Sequence, residues 1–358
     1  MITLKRSLLL AASLVSIAAA GSASAQTVVN TLKVDNGGLY ELVFNPADKD
    51  IYVASVGPRG ANTAQVIRLN GQSLAADGSI NVSEYPLYGL GLNTVTQILY
   101  GTDTRQGAVT AINVRNDQVV AQAIKADPNV NNAHVRQVVV DEANNKVYVS
   151  VVGGDANDAE NPNKIWVIDG ATNTVERTIT VPLSRMTGLA LDASTNRLYA
   201  TGLNSNNVAA IDLSNDQVIA TWAAGGEGSV NVAVDAAGRR LFVTNQGSGT
   251  LTVLNADNGE LIKSIATGEG ALSVAYNPTV KQIYVANRRA GTVSVIDSDS
   301  YEVKANLETG TFPQTIAIDY ETNLVYVTNK ARGAPRGAPA GTPVPVDATG
   351  DVVAVIRP

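Results

Sequence analysis

The chain of 358 residues predicts an all-β fold, a seven-bladed β-propeller of four-stranded antiparallel blades closed by the N-terminal strand in the last blade. Three observations predict it. A stretch like Tyr-Val-Thr-Asn keeps returning, with its aromatic residue at Tyr52, Tyr100, Tyr148, Tyr199, Phe242, Tyr284 and Tyr326. The steps are 48, 48, 51, 43, 42 and 42 residues, the period of propeller blades. Every copy repeats one order of short apolar strands and polar turns, and the two ends of the chain supply complementary parts of one copy.

Residues 1–25 read as a signal peptide. Lys5 and Arg6 give the positive start, the apolar run Leu8 to Ala20 follows, and Ala23-Ser24-Ala25 is a small-x-small cleavage pattern. The apolar run is shorter than the roughly 20 residues that span a bilayer. Cleavage is expected after Ala25. A periplasmic or secreted protein follows, with no membrane insertion once the leader is removed.

Residues 26–358 form the propeller in this reading. Each copy opens with a first strand such as "ELVFNP", "QVVVDE", "GLALDA", "NVAVDA" or "TIAIDY". A turn rich in Asn, Asp and Pro follows, because these side chains satisfy turn backbone locally. The Tyr-Val-Thr-Asn strand is second. "KIWVID", "NVAAID" and "TVSVID" are third strands, and "TVERTIT", "QVIATWA", "ELIKSIA" and "EVKANLE" are fourth strands. Short Val- and Ile-rich runs between such turns argue antiparallel sheet. The seventh copy ends on a third strand, "DVVAVIRP", whereas the start of the mature chain, "QTVVNTLKVDNG", reads like a fourth. Val28 to Val34 is therefore expected to pair with Val352 to Ile356, protecting an open sheet edge.

Composition narrows the chemistry. There is no cysteine, so there is neither disulfide nor thiolate, and the lone histidine, His134, makes an all-protein zinc site improbable. The 26 basic and 32 acidic residues give −6, and removing Lys5 and Arg6 gives 24 − 32 = −8. Such a balance argues against general affinity for nucleic acid or membranes and requires a local basic patch for any anionic partner. Trp166 and Trp222 both fall within strands, which leaves little to stack a quinone cofactor. No cofactor and no metal is expected.

Up-and-down connection puts the loops between strands 2 and 3, and those from strand 4 to the next strand 1, on one face, here the top. The bottom turns carry Asp77, Asp169, Asp212, Asp216, Asp257, Asp297, Asp299 and Glu302, predicting a uniformly negative bottom. The top loops carry Arg59, Arg105, Arg288, Arg289, Lys330, Arg332 and Arg336, with Arg136 and Arg185 at first-strand entries. Top acids are Asp155, Asp158, Glu160, Glu227, Glu269 and Glu308. Tyr40, Tyr88 and Phe312 stand at the entries of first strands and are expected to rim the channel. Rings and arginines in one rim can stack bases and hold phosphates; they can equally serve as solvated loops around a plugged channel. His134 sits beside Arg136, for an anion-binding or a proton-carrying role.

Other stretches are read more plainly. The loop at 153–163 brings Asp155, Asn157, Asp158 and Glu160 together and raises calcium binding, although its spacing is not that of an EF-hand. Residues 331–350, rich in Pro, Gly and Ala, form a flexible insertion in blade 7. Gly225-Gly226-Glu227-Gly228 is a blade connection, lacking the helix and lysine of a phosphate loop.

"GLALDASTNRLYATG", "RRAGTVSVIDSDSYEV" and the blade-7 insertion with its basic start resemble the YncE-like periplasmic proteins of the YVTN-repeat propeller family, over essentially the whole mature chain. The resemblance implies a non-enzymatic propeller without a known cofactor, and a DNA-binding property, for single strands especially, at the channel mouth. Arg136 and Arg288 match basic positions of that pattern, and Tyr40 matches an aromatic one. The leading expectation is an exported binding scaffold for single-stranded DNA or another polyanion at the top mouth. The alternatives are a protein or cell-envelope interaction scaffold, and a lactonase- or lyase-like propeller enzyme.

Overall fold

A computed structural model describes residues 26–58, 60–130, 132–333, 342, 344 and 346–358. The leader read at residues 1–25, Arg59, Arg336 and much of the blade-7 insertion lie outside the described residues.

The Val- and Ile-rich runs form seven four-stranded antiparallel sheets. The inner strands are Leu39–Asn45, Gly89–Asn93, His134–Asp141, Met186–Asp192, Ser229–Asp235, Ala271–Asn277 and Pro313–Ile318. Burial is greatest in the second strand of a blade, lower in the inner strand that faces the channel, and least in the fourth. In blade 1 the second strand, Asp50–Ser55, is buried along its whole length. In blade 3 the fourth strand, Thr174–Thr180, mostly alternates between exposed and half-buried positions. A strand buried on both faces needs apolar residues at consecutive positions, and that is what makes the repeat visible.

The core is a set of seams between blades. Tyr52, Val66 and Ile80 of blade 1 pack with Leu90, Leu99 and Ile112 of blade 2. Tyr148, Ile165 and Ile179 of blade 3 pack with Leu189, Leu198 and Ala209 of blade 4. The repeated tyrosine lies inside the seam and its hydroxyl finds a partner at the bottom: Tyr100 donates to Asn173 at 3.0 Å, and Tyr199 to the Ala256 carbonyl at 3.1 Å.

The ring closes as the ends predict. Thr27–Lys33 pairs with Val352–Arg357, which pairs with Val325–Asn329 and then the inner strand. The register sets Val28 against Ile356 and Lys33 against Val352. The strand thus starts and ends one residue earlier than the sequence suggests. Val34 has left the ladder: it is buried, and its N–H donates to the Asp351 carbonyl at 2.9 Å. The Lys33 ammonium donates to the Asp347 carbonyl at 2.9 Å and to that of Gly350, tying the returning end of the insertion to the closing strand.

The bottom differs from the uniformly negative surface expected. Arg68 meets Asp50, Asp77 and Asp117, Lys146 meets Asp169 and Glu176, Arg239 meets Asp192 and Asp257, and Lys281 meets Asp299. The cations come from strands, as Arg68 and Lys146 do, and from turns between strands 1 and 2, so a reading of the acidic turns alone overlooks them. Asp212 and Asp297 instead cap their own turns, accepting from Ser214 and Ser300.

The threonine of the repeated stretch has a definite task. Its hydroxyl crosses the seam to the carbonyl of an inner-strand residue in the next blade: Thr102 to Arg136 at 2.6 Å, Ser150 to Thr187 at 2.9 Å, Thr244 to Leu272 at 3.0 Å and Thr328 to Tyr40 at 2.6 Å. Thr102 also accepts from the Gly89 N–H at 3.0 Å. Thr102→Val, of nearly the same shape, leaves both groups buried and unpaired. It should cost about 1–3 kcal/mol in urea unfolding, and Thr102→Ser clearly less. Equal stability of the Val variant and the parent would show that the seam does not depend on this bond.

Candidate anion-binding channel mouth

Repeat register locates the channel wall. The residue opposite each repeated aromatic is Val43, Gly91, Val139, Ala190, Ala233, Ala275 and Ala317. Counting three back from each gives an upper ring of Tyr40, Tyr88, Arg136, Thr187, Val230, Leu272 and Gln314, all of which line the central cavity of about 400 Å³. Counting two back gives Glu41, Gly89, Gln137, Gly188, Asn231, Ser273 and Thr315, of which all but Gly188 line it. In every blade except the second the ladder shifts register near these positions. Such bulges re-aim side chains, here towards the axis. Blade 2 has glycine instead: a Cβ on Gly89 would lie 2.1 Å from the Arg136 carbonyl oxygen.

Of the residues singled out from sequence, Tyr40, Tyr88, Arg105, His134, Arg136 and Arg288 line the cavity. Phe312, Lys330 and Arg332 join through ring contacts. The Lys330 ammonium is 3.6 Å from the Tyr40 ring centre, Tyr40 packs edge-on against Tyr88 at 4.7 Å, and Arg105 covers Tyr88 at 5.5 Å. Next to this group, on the blade-7 side, Arg288 and Arg332 flank Phe312 at 5.1 and 5.8 Å. Phe312 reaches this place with a left-handed backbone, φ 45°, and Arg185 enters blade 4 with φ 51°. A non-glycine residue held there stores strain, a feature that gathers at functional sites. Arg185 and Arg289 do not line the cavity, and Arg59 lies outside the described residues.

The electrostatics are those of crowded cations. Among the described residues, every ion pair lies on the bottom side, and none includes Arg105, Arg136, Arg185, Arg288, Arg289, Lys330 or Arg332. Burial lowers the pKa of Arg136, and nearby Arg185 adds to this, while Glu41 and Tyr40 oppose it. Arg136 as a residue is nevertheless exposed, at the open cavity. Burial lowers Arg288 too, with Arg136 and Arg289 contributing. His134 is lowered by burial and then by Arg136 and Arg185, which favours the neutral imidazole at neutral pH.

Sequence reading missed Glu41, the one carboxylate in the wall. Burial raises its pKa to about 7, against a hydrogen bond from the Leu90 N–H and the field of Arg136. It also missed Gln137, Asn231 and Gln314. The repeat register itself was the signal that finds them. In the 153–163 loop, Asp158 accepts from the Glu160 and Asn161 N–H groups at 3.0 and 2.9 Å, and buried Asn163 organises the base of the loop. Among the described residues there is no group of three His, Asp or Glu placed to hold a metal ion.

No protein-family model matches the chain. It is 30% identical to the uncharacterized protein YncE of Escherichia coli O157:H7 over 223 residues, 61% of this chain and 60% of that protein. It is 31% identical to the uncharacterized protein YncE of Salmonella typhi over 188 residues, 51% of each. The chain spans about half the length of the curated relatives it matches. This partial similarity and the seven-bladed ring are consistent with a YncE-like propeller, in line with the repeats.

Glu41 has a measurable signature. Its pKa is higher in the folded state, so folding retains a proton between about pH 4.5 and 7. The associated stability is complete below about 4.5 and is lost as pH rises through 7. Glu41→Gln should abolish that loss, gaining at most about 3 kcal/mol over the parent at pH 8 and nothing at pH 4. Urea unfolding across this range checks it; parallel pH profiles would refute the assignment.

Proposed function

We propose that the protein is an exported, non-enzymatic binding scaffold whose top mouth takes a polyanion carrying flat rings, of which single-stranded DNA is the sharpest candidate. The observation that carries this reading is the segregation of charge. Cations on the bottom side are extensively ion-paired, whereas those of the mouth make no ion pair among the described residues, and Arg105, Arg288, Lys330 and Arg332 lie instead beside Tyr40, Tyr88 and Phe312. Unpaired cations grouped at one concave place raise the local concentration of anions even on an acidic protein. Ring and guanidinium faces offer stacking to bases of any sequence. The similarity to YncE proteins supports the propeller fold, and the binding role and its ligand are what the experiment tests.

The test is filter binding of an oligothymidylate at several salt concentrations. The parent should lose affinity linearly on a logarithmic scale, with a slope of about −0.7 per phosphate contacted. Arg136→Glu combined with Arg288→Glu should abolish binding while the protein stays folded. A folded double variant that binds like the parent would remove this mouth from consideration.

A further inference from the structure

The channel below the rim has a chemistry that a polyanion site does not require. Its amide side chains have their acceptors already occupied. The Gln137 carbonyl accepts from the Leu189 N–H at 3.2 Å and from the Asn231 amide at 3.4 Å. The Asn231 carbonyl accepts from the Val232 N–H at 2.8 Å, and the Gln314 carbonyl from Arg288. The Thr187 hydroxyl is spent on the Val230 carbonyl at 2.8 Å. Of these amides what remains towards the cavity is donors, the N–H groups of Gln137 and Gln314, joined by the guanidinium of Arg136, for which no acceptor is present among the described residues. A cluster of directed donors selects an oxyanion.

The ring is also one-sided. Val230 and Leu272 of blades 5 and 6 form an apolar wall, across the axis from Tyr40 and Tyr88 of blades 1 and 2. An inorganic anion or a backbone phosphate would gain nothing from that wall. The cavity, about 400 Å³, falls within the range of small-molecule sites, roughly 300–1,000 Å³. Glu41 lines the same cavity, and burial raises its pKa to about 7, so in mildly acidic solution it is mostly neutral and does not repel an oxyanion.

We propose that the channel is a binding site of its own for one small organic carboxylate with a compact apolar body, the carboxylate held by Arg136, Arg288, Gln137 and Gln314 and the body laid against Val230 and Leu272. The site shares Arg136 and Arg288 with the polyanion reading and differs from it in Gln137, Gln314 and the wall of Val230 and Leu272, whereas the polyanion reading also draws on Lys330 and Arg332.

Calorimetric titration of the whole mature protein at pH 6 with acetate, butyrate, hexanoate and inorganic phosphate tests it. Affinity should rise by about fourfold for each methylene that still fits the cavity, and butyrate should outbind phosphate. Arg136→Gln should weaken carboxylate binding by about tenfold or more, and Leu272→Asn should flatten the chain-length dependence. Should Arg136→Gln not fold, Arg288→Gln replaces it. Lys330→Gln with Arg332→Gln should leave carboxylate binding unchanged while weakening the oligothymidylate, which separates the two readings. Carboxylates that bind no tighter than phosphate, affinity independent of chain length, or undiminished binding by a folded arginine variant would each overturn the proposal.

Discussion

A blade of four strands is too thin to shield both of its faces, and the molecule follows from that constraint. Each sheet buries its apolar faces only against its neighbours, so seven sheets need seven seams, and the last seam exists only if the chain ends meet. The pairing of Thr27–Lys33 with Val352–Arg357 supplies it. Stacking of Phe44 on Tyr326, 5.7 Å apart across the same joint, shows that this seam is packed like the others rather than merely bridged. The channel is a by-product: inner strands that must converge cannot also fill the axis, and what they point into it is free to vary.

How much of this could be read beforehand follows from where the repeat speaks. The buried tyrosines, the strand order and the closing strand were readable because burial on two faces forces runs of consecutive apolar residues in the second and third strands. The mouth was readable in part. Tyr40, Tyr88 and Arg136 stand at the entries of first strands and Arg288 in a top loop, and their place near the axis follows from topology. Glu41 was not, because its significance depends on a bulge that turns it inward and on burial that alters its protonation, neither of which leaves a mark in the local sequence. The bottom was misread for a related reason. Its acids cluster visibly in turns, but the arginines and lysines that meet them come from other blades or the far side of a hairpin, as Arg68 meets Asp117 and Arg177 meets Asp216.

Net charge therefore says little about this surface. An acidic chain has arranged its ions by compartment, with acids and bases cancelling on one face and bases left with aromatic rings on the other. Cation–ring contacts are a weaker form of satisfaction than ion pairs, worth about 0.5–1 kcal/mol where exposed. They leave the cation's N–H groups available, which pairing with a carboxylate does not. The left-handed backbones at Arg185 and Phe312 indicate that this arrangement was reached at some local expense.

The hold of Lys33 on the Asp347 and Gly350 carbonyls has a consequence for the whole top face. The strand that seals the ring is also the mooring of the segment that returns from the basic overhang at Lys330 and Arg332. Fraying of the seal would slacken the overhang as well, so mechanical integrity and the charge presented to a visitor are geared to one another and cannot be adjusted separately.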